Sequence, residues 1–550
     1  MKRVALLVPL ALLGCEAPFS FPAPVASVTV TPPATDLPQG DQLQLTATVQ
    51  DSAGQPVTGR PVLWTSSDPV RLPVSATGLV TAVAAGAATI SATVDGVSGG
   101  AQVRVIGRVA RVTIDQGDIT LVPGGVVPLV AAPRDSAGLA LGGRVVTWAS
   151  SDTFVARVSS TGLLEAVAEG GTTVTATVEG ARAVVTVRVA RARFTALSAG
   201  EFRHTCALGD DGRVWCWGEN GLGQLGVAAL AQNPTPIGSS RAPTFADVSA
   251  GGTFTCARTA SGAVECWGSG ARGRLGNGTA ATSATPTAVS LSVPLFSLSS
   301  GWNHSCGIGG DEGEGGICWG EFPQVGGGPG PIAWTPVSVP GAHRYREISA
   351  GEGFSCGLGV DSLAYCWGMN FASRLGVDAL SSSAEPVAVR DSIRFTRLAT
   401  GGLHACGLAS SGEIRCWGEN RSGQLGAAAT LDSSAAPQLV AGGLSFTAVA
   451  AGSHSTCAIA TDGAAYCWGA NDAGQLGAPS SDSCGGTPCS RTPLAVAGGL
   501  RFTLISVGDL HACGLAVDGI AYCWGKNDRG QLGDGTLLDR AAPTRVVGQR

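Results

Sequence analysis

Seven times in this 550-residue chain a cysteine is followed directly by tryptophan and glycine, at Cys216, Cys266, Cys318, Cys366, Cys416, Cys467 and Cys523. Each has an earlier companion, at Cys206, Cys256, Cys306, Cys356, Cys406, Cys457 and Cys513, and these recur at intervals of 50 residues or slightly more. A period of that length, built from short apolar runs and glycine-rich turns, restricts the fold to a propeller or a solenoid of β-hairpins. In CALGDDGRVWC (206–216) one short strand runs into an Asp-Gly turn and a second leaves it. Ser261-Gly262, Ser411-Gly412, Asp462-Gly463 and Asp518-Gly519 take the same place in other units. Folding the hairpin there sets the two cysteines opposite each other, with Cβ atoms about 5 Å apart and close to disulfide range.

Paired cysteines can hold zinc, remain thiols or form disulfides. Zinc favours short Cys-x-x-Cys knuckles that converge with further Cys or His, whereas nine or more residues separate each pair here. The spacing therefore predicts seven bridges, Cys206–Cys216, Cys256–Cys266, Cys306–Cys318, Cys356–Cys366, Cys406–Cys416, Cys457–Cys467 and Cys513–Cys523. Each closes a small loop worth roughly 2–3 kcal/mol. Side chains alternate across a strand, so the cysteine and the tryptophan beside it face opposite ways. In a propeller the tryptophan is then expected to pack toward the next blade and the disulfide the other way.

The pattern G-x-x-H-[ST]-C-x-L…G-x-V-x-C-W-G-x-N-x-x-G-Q-L-G resembles the regulator of chromosome condensation repeat family over about 194–550. The resemblance implies a seven-bladed β-propeller, here placed at 191–550. The cysteines are not part of that family's general pattern and read as an adaptation to an oxidising compartment. Two units depart from it: GGDEGEGGICWGEFPQVGGGPG (309–330) lacks the N-x-x-G-Q-L-G turn, and the unit at 356–376 has Asp361-Ser362 and a final SRLG. Internal units run P-x-x-V, then F-x-x-[VL], then the hairpin. The first lacks the P-x-x-V run and the chain ends in PTRVV (543–547), so the C-terminal strand is expected to complete the first blade.

Ahead of the propeller, TVQDSAGQPVTGRPVLWTSSDP (48–69) matches APRDSAGLALGGRVVTWASSDT (132–153), and Thr77-Gly78 matches Thr161-Gly162. Alternating runs such as LQLTATV and TTVTATV read as half-buried strands, about seven in each copy. The copies, at 25–106 and 107–190, resemble the group 2 bacterial Ig-like family, which implies a spacer or adhesion module. Neither contains cysteine, and Trp64 and Trp148 read as core residues.

At the N-terminus, Lys2 and Arg3 precede the apolar run Val4–Leu13, too short to span a bilayer as a mature helix. LLGC resembles a bacterial lipoprotein signal, which implies a signal peptide at 1–14, lipidation of Cys15 and a Pro-rich tether at 15–24. By the same analogy, Glu16 favours the outer membrane or cell surface.

The net charge is −5, Lys2 and Lys526 are the only lysines, and no basic run marks a nucleic-acid footprint. No Gly-x-Ser-x-Gly, His-Glu-x-x-His or phosphate-cradling loop occurs, and acidic residues read as scattered. No enzymatic activity, cofactor or metal is expected. His204, His304, His404 and His511 recur two residues before a cysteine, with His454 one place off. Phe254 and Phe354 take the same place, so the set reads as packing near the hub rather than a metal ring. Cys484 and Cys489, in the insertion SSDSCGGTPCSR (480–491), read as a local bridge in a surface loop or a binding rim.

The expected function is that of a non-catalytic, cell-envelope-anchored binding or adhesion module. The Ig-like pair is its stalk, and the propeller is a head for an extracytoplasmic protein or glycan. The alternative is an inhibitor or regulator of an extracytoplasmic enzyme, since a secreted β-lactamase inhibitor shares the repeat family. Guanine-nucleotide exchange, known among eukaryotic relatives, would need a cytoplasmic GTPase and fits an exported chain poorly.

Overall fold

The computed structural model describes residues 23–550 apart from 137, 229, 240–243, 310–314, 322–325, 327–330, 379 and 429. The signal segment, Cys15 and the hairpin turn of the third unit thus lie outside the described residues. The architecture is all-β, with three short 3-10 turns among the described residues, at Ala271–Gly273, Phe371–Ser373 and Arg390–Ser392. The described residues form two compact units, one within 23–111 and 133–144, the other within 112–132 and 145–550.

The first unit holds an Ig-like sandwich. Its main sheet has the order Ala34–Pro38, Val97–Ile106, Gly86–Val94, Leu63–Ser66. Burial alternates along Gly86–Val94, so Ala88, Ile90, Ala92 and Val94 point into the core. Trp64 packs half-buried against that core, its indole lying on Gly78, which explains why the Trp and the Thr-Gly pair recur together in both copies.

In the second unit the equivalent sheet is Thr147–Ser150, Gly170–Val178, Ala181–Val189, Ile119–Leu121. Its last strand corresponds to Ala34–Pro38, but here it is not an edge. Thr120 and Leu121 pair antiparallel with Gly238 and Ile237 of the first blade, so one eight-stranded sheet continues from sandwich into propeller. Arg213 Nη1 adds a 2.7 Å bond to Thr120 Oγ1.

The propeller has seven blades. Blade 1 comprises Phe194–Ala199 (inner), His204–Gly209, Val214–Glu219 and Gln232–Gly238 (outer). Blades 2 to 7 begin at the inner strands Phe245–Ala250, Ser299–Ser300, Tyr345–Ala350, Phe395–Thr400, Phe446–Ala451 and Phe502–Val507. Each cysteine pair is directly opposed in register, as in Cys206↔Cys216, and bridged.

The expected strand exchange does not occur. The C-terminal strand Arg540–Arg545 pairs with Ala521–Gly525 inside blade 7, and blade 1 has its own outer strand. The P-x-x-V run belongs to the blade before it, because the chain turns out of each Cys-Trp strand straight into that blade's outer strand. A ring that starts on an inner strand and ends on an outer one needs no exchange. Its tail closes by main-chain bonds instead: Ala192 N donates to Gly548 O and Arg550 N donates to Ala192 O, both at 3.1 Å.

Cysteine and tryptophan do face opposite ways, but in the reverse sense to that expected. The tryptophan packs toward the preceding blade and the disulfide toward the following one; Cys356, Cys366 and Leu375 of blade 4 share a core with Phe395 and Trp417 of blade 5. The seam between blades 7 and 1 has the same composition, with Cys513, Cys523 and Leu532 against Phe194 and Trp217. Each buried indole removes roughly 200 Å² from water, worth on the order of 5 kcal/mol before ordering costs.

Among the described residues, the N-x-x-G-Q-L-G turn or its R-L-G variant locks six of the seams. In blade 1, Asn220 Oδ1 accepts from Leu225 N at 2.8 Å and Gln224 Oε1 from Leu222 N at 3.0 Å, while Leu225 is buried. That holds the Gln224 carbonyl out toward blade 2, where Trp267 Nε1 donates to it at 2.9 Å. The same bond joins Trp217 to Gln531, Trp319 to Arg274, Trp417 to Arg374, Trp468 to Gln424 and Trp524 to Gln475. The glycine after each tryptophan takes φ between +102° and +116°, and a side chain at Gly218 would strike the Arg203 carbonyl.

Candidate binding face

At the hub, seven glycines close a second ring. A Cβ on Gly200 would meet Gly251 O, and so on through Gly301, Gly351, Gly401, Gly452 and Gly508, which meets Gly200 O at 2.5 Å. The ring permits no side chain there and fixes how closely the blades converge.

The recurrent histidines sit just inside this ring, fully buried. His511 Nε2 lies 2.8 Å from Thr205 Oγ1 in the next blade, and Thr205 donates its proton to Gln531 O at 2.9 Å. With the hydroxyl proton committed, the histidine must be the donor, so Nε2 carries the hydrogen. His204–Thr255, His304–Ser355 and His404–Thr456 repeat the contact. Where the next blade offers alanine, at Ala405 and Ala512, the histidine is replaced by Phe354 and Ser455. Burial pushes the imidazoles of His204, His304 and His404 down to about 3 and that of His511 to about 4. These are seam residues. His454 sits instead on the blade 6 turn that follows hub glycine Gly452, with Nδ1 3.8 Å from Glu419 and close enough to act on Glu352 and Asp509.

Between each hub glycine and the next strand is a tight turn. These turns share one end of the propeller with the N-x-x-G-Q-L-G turns, since both follow strands running the same way. Six turns have two residues. That of blade 1 has three, Glu201, Phe202 and Arg203, as the bonds Gly200 N to His204 O and Gly251 N to Phe254 O show. After the hub glycine the blades present Glu201, Gly252, Trp302, Glu352, Gly402, Ser453 and Asp509.

The acidic residues are therefore not scattered. Glu201, Glu352 and Asp509 take the same place after the hub glycines of blades 1, 4 and 7, close enough for the second and third to act on the first. Burial pushes the Glu201 carboxyl well above its usual range, and Glu352 and Asp509 push it further. Burial likewise raises Glu352 and Asp509. Arg374 stands among them, drawn down to about 10 by burial; its Nη1 donates to the Glu352 and Gly402 carbonyls and its Nε to Met369 O. Phe202 meets Trp302 edge-on at 5.7 Å, and Arg203 pairs with Asp528 at 3.0 Å. Among the described residues, no group of three or more His, Cys, Asp or Glu is placed to hold a metal. Reading the residue after each hub glycine as a column would have found the acidic trio; reading along the chain does not.

Cys484 and Cys489 are bridged in a hairpin, Asp482–Cys484 with Thr487–Ala495, that adds a fifth strand to blade 6 at this same end. Cys15 lies outside the described residues. Also among the described residues, no helix is long and apolar enough to cross a membrane.

Comparison with known proteins agrees with this geometry. The bacterial Ig-like domain (group 2) model matches 24–105 and 108–200. Two models of the regulator of chromosome condensation repeat match between 194 and 308 and between 395 and 550. The chain is a pair of group 2 bacterial Ig-like domains followed by a propeller of regulator of chromosome condensation repeats. Neither repeat model reaches 309–394, where the two divergent units lie. The human E3 ubiquitin-protein ligase HERC2 is 38% identical over 107 residues, 19% of this chain and 2% of the ligase. Ice-binding protein 1 of Shewanella frigidimarina is 31% identical over 158 residues, 28% of this chain and 18% of that protein. The chain thus matches only a small part of either relative. The crystal structure of Prp20p from Saccharomyces cerevisiae superposes with a TM-score of 0.55 at 22% identity, covering 64% of this chain and 87% of that one. It shares the propeller fold. These domains are consistent with a binding module, and the eight disulfides fit an oxidising location.

Proposed function

We propose that this is an exported, non-catalytic protein-binding module, anchored through lipid on Cys15 at the cell envelope, with the Ig-like domains as stalk and the propeller as head. The observation carrying this reading is the rim of the hub end. There Phe371 is 63% exposed, Met369 43% and Leu222 42%, beside the half-buried Phe202 and Trp302. A rigid scaffold that holds apolar side chains in solvent around a polar centre has the anatomy of a protein-docking surface. A glycan head or an enzyme inhibitor would use the same face. The test is capture of envelope proteins by the full-length chain. Phe371→Asp with Leu222→Asp should abolish capture, while Phe154→Asp on the second sandwich, at an 82% exposed residue, should leave it intact. Equal capture by all three proteins refutes the assignment.

A further inference from the structure

We infer that the axial mouth of the propeller is a subsite for one cationic side chain, a lysine or arginine on a loop of the docked protein. The inference rests on the docking reading above and adds the chemistry of its centre.

Glu201 carries the argument. Its side chain is only 7% exposed, and its Oε2 has no hydrogen-bond partner. A buried carboxylate oxygen left unpaired is costly unless something charged or hydrogen-bonding comes to it. The extra residue in the blade 1 turn sets this group over the mouth, where it faces Glu352 from across the ring and Asp509 from the adjoining blade. Arg374 does not answer the need, because its guanidinium spends its hydrogen bonds on the main-chain carbonyls of Glu352, Met369 and Gly402. It also lies against the Phe354 ring at 5.2 Å. A metal ion does not fit either, since these acids form no coordinating group. An ammonium or guanidinium on a flexible stem serves carboxylates that are not gathered into a coordination sphere, and Phe202 and Trp302, touching edge-on from the hub turns of blades 1 and 3, offer that stem an apolar surface. The apolar rim selects a protein as the source over a free polyamine.

The test titrates hexalysine into the full-length protein, read by tryptophan fluorescence with Trp302→Phe as the check that the signal arises at the mouth. Saturable one-to-one binding is expected. The triple variant Glu201→Gln, Glu352→Gln, Asp509→Asn should weaken it by about tenfold or more while melting no lower than the wild type. The charge-matched control Glu165→Gln, Glu179→Gln, Glu385→Gln should bind as the wild type does. Side-chain-acetylated hexalysine should not bind. Equal weakening by the control triple means diffuse attraction and overturns the proposal, as does tighter binding of spermidine or a response to calcium alone. If the mouth triple still captures the envelope partner at full strength, the subsite is wrong and the docking face stands. If the rim variants capture it too, the docking reading itself has failed.

Discussion

A sandwich strand and a blade strand in this molecule solve different problems. Gly170–Val178 buries every second residue and shows the rest to solvent, whereas Val214–Glu219 is buried at all but its last position. A half-buried strand needs only a period-two pattern. A strand covered on both faces needs a filler for each, and the Cys-Trp pair supplies them, sulfur toward one neighbour and indole toward the other. The seven Cys-Trp strands therefore carry a disulfide each where blades stack, the eighth bridge, Cys484–Cys489, serves only an added hairpin, and the sandwiches contain no cysteine.

The largest test of this contrast is at the hub. Gly401→Val forces a side chain into Gly452 O, 2.1 Å from the Cβ position, and should prevent a closed ring, seen as loss of the propeller transition in calorimetry while the first sandwich still melts. Next, Trp417→Ala should cost about 3–5 kcal/mol and Trp64→Ala clearly less, because the first indole is wholly buried and the second half-exposed; equal losses in chemical denaturation would erase the distinction. Third, thiol reduction should lower the propeller transition and leave the first sandwich unmoved. The double variant Cys406→Ala, Cys416→Ala should lose about 2–3 kcal/mol.

How much of this was legible in the sequence follows from where the information sits. The hairpin, the bridge and the turn are local, so a 50-residue period exposes them. Alternation shows that Cys216 and Trp217 face apart but not which neighbour each meets, because that depends on the order of blades around the ring. The blade to which the outer strand belongs is hidden for a similar reason: a P-x-x-V run can pair with the hairpin before it or the one after. Glu201, Glu352 and Asp509 are separated by 151 and 157 residues in the chain, and only closure brings them together.

The smallest expected effects concern charge inside the seams. The buried histidines are neutral in the fold near 3 to 4, below their unfolded values, so the unfolded chain takes up more protons as pH falls through about 6.5. Stability should then drop steadily between pH 6.5 and 4. His404→Phe with Thr456→Ala reproduces the Phe354–Ala405 seam already present, and should flatten that slope by one histidine's share; an unchanged melting-temperature profile would refute the assignment. Glu347 behaves oppositely. Burial pushes its carboxyl up to about 7 despite Arg397 and Arg346 nearby, so stability is lost as pH rises from the unfolded carboxyl's range through about 7, and the loss is complete above that. Glu347→Gln should raise the melting temperature by about 2 °C at pH 8 and change little at pH 4.

The strand Ile119–Leu121 has one further consequence. Because its hydrogen bonds continue into blade 1, a pull on the second sandwich does not bend a flexible joint. It arrives as shear along a ladder, and the load passes on through clasped indoles to the whole wheel, so the head would keep its aim under tension.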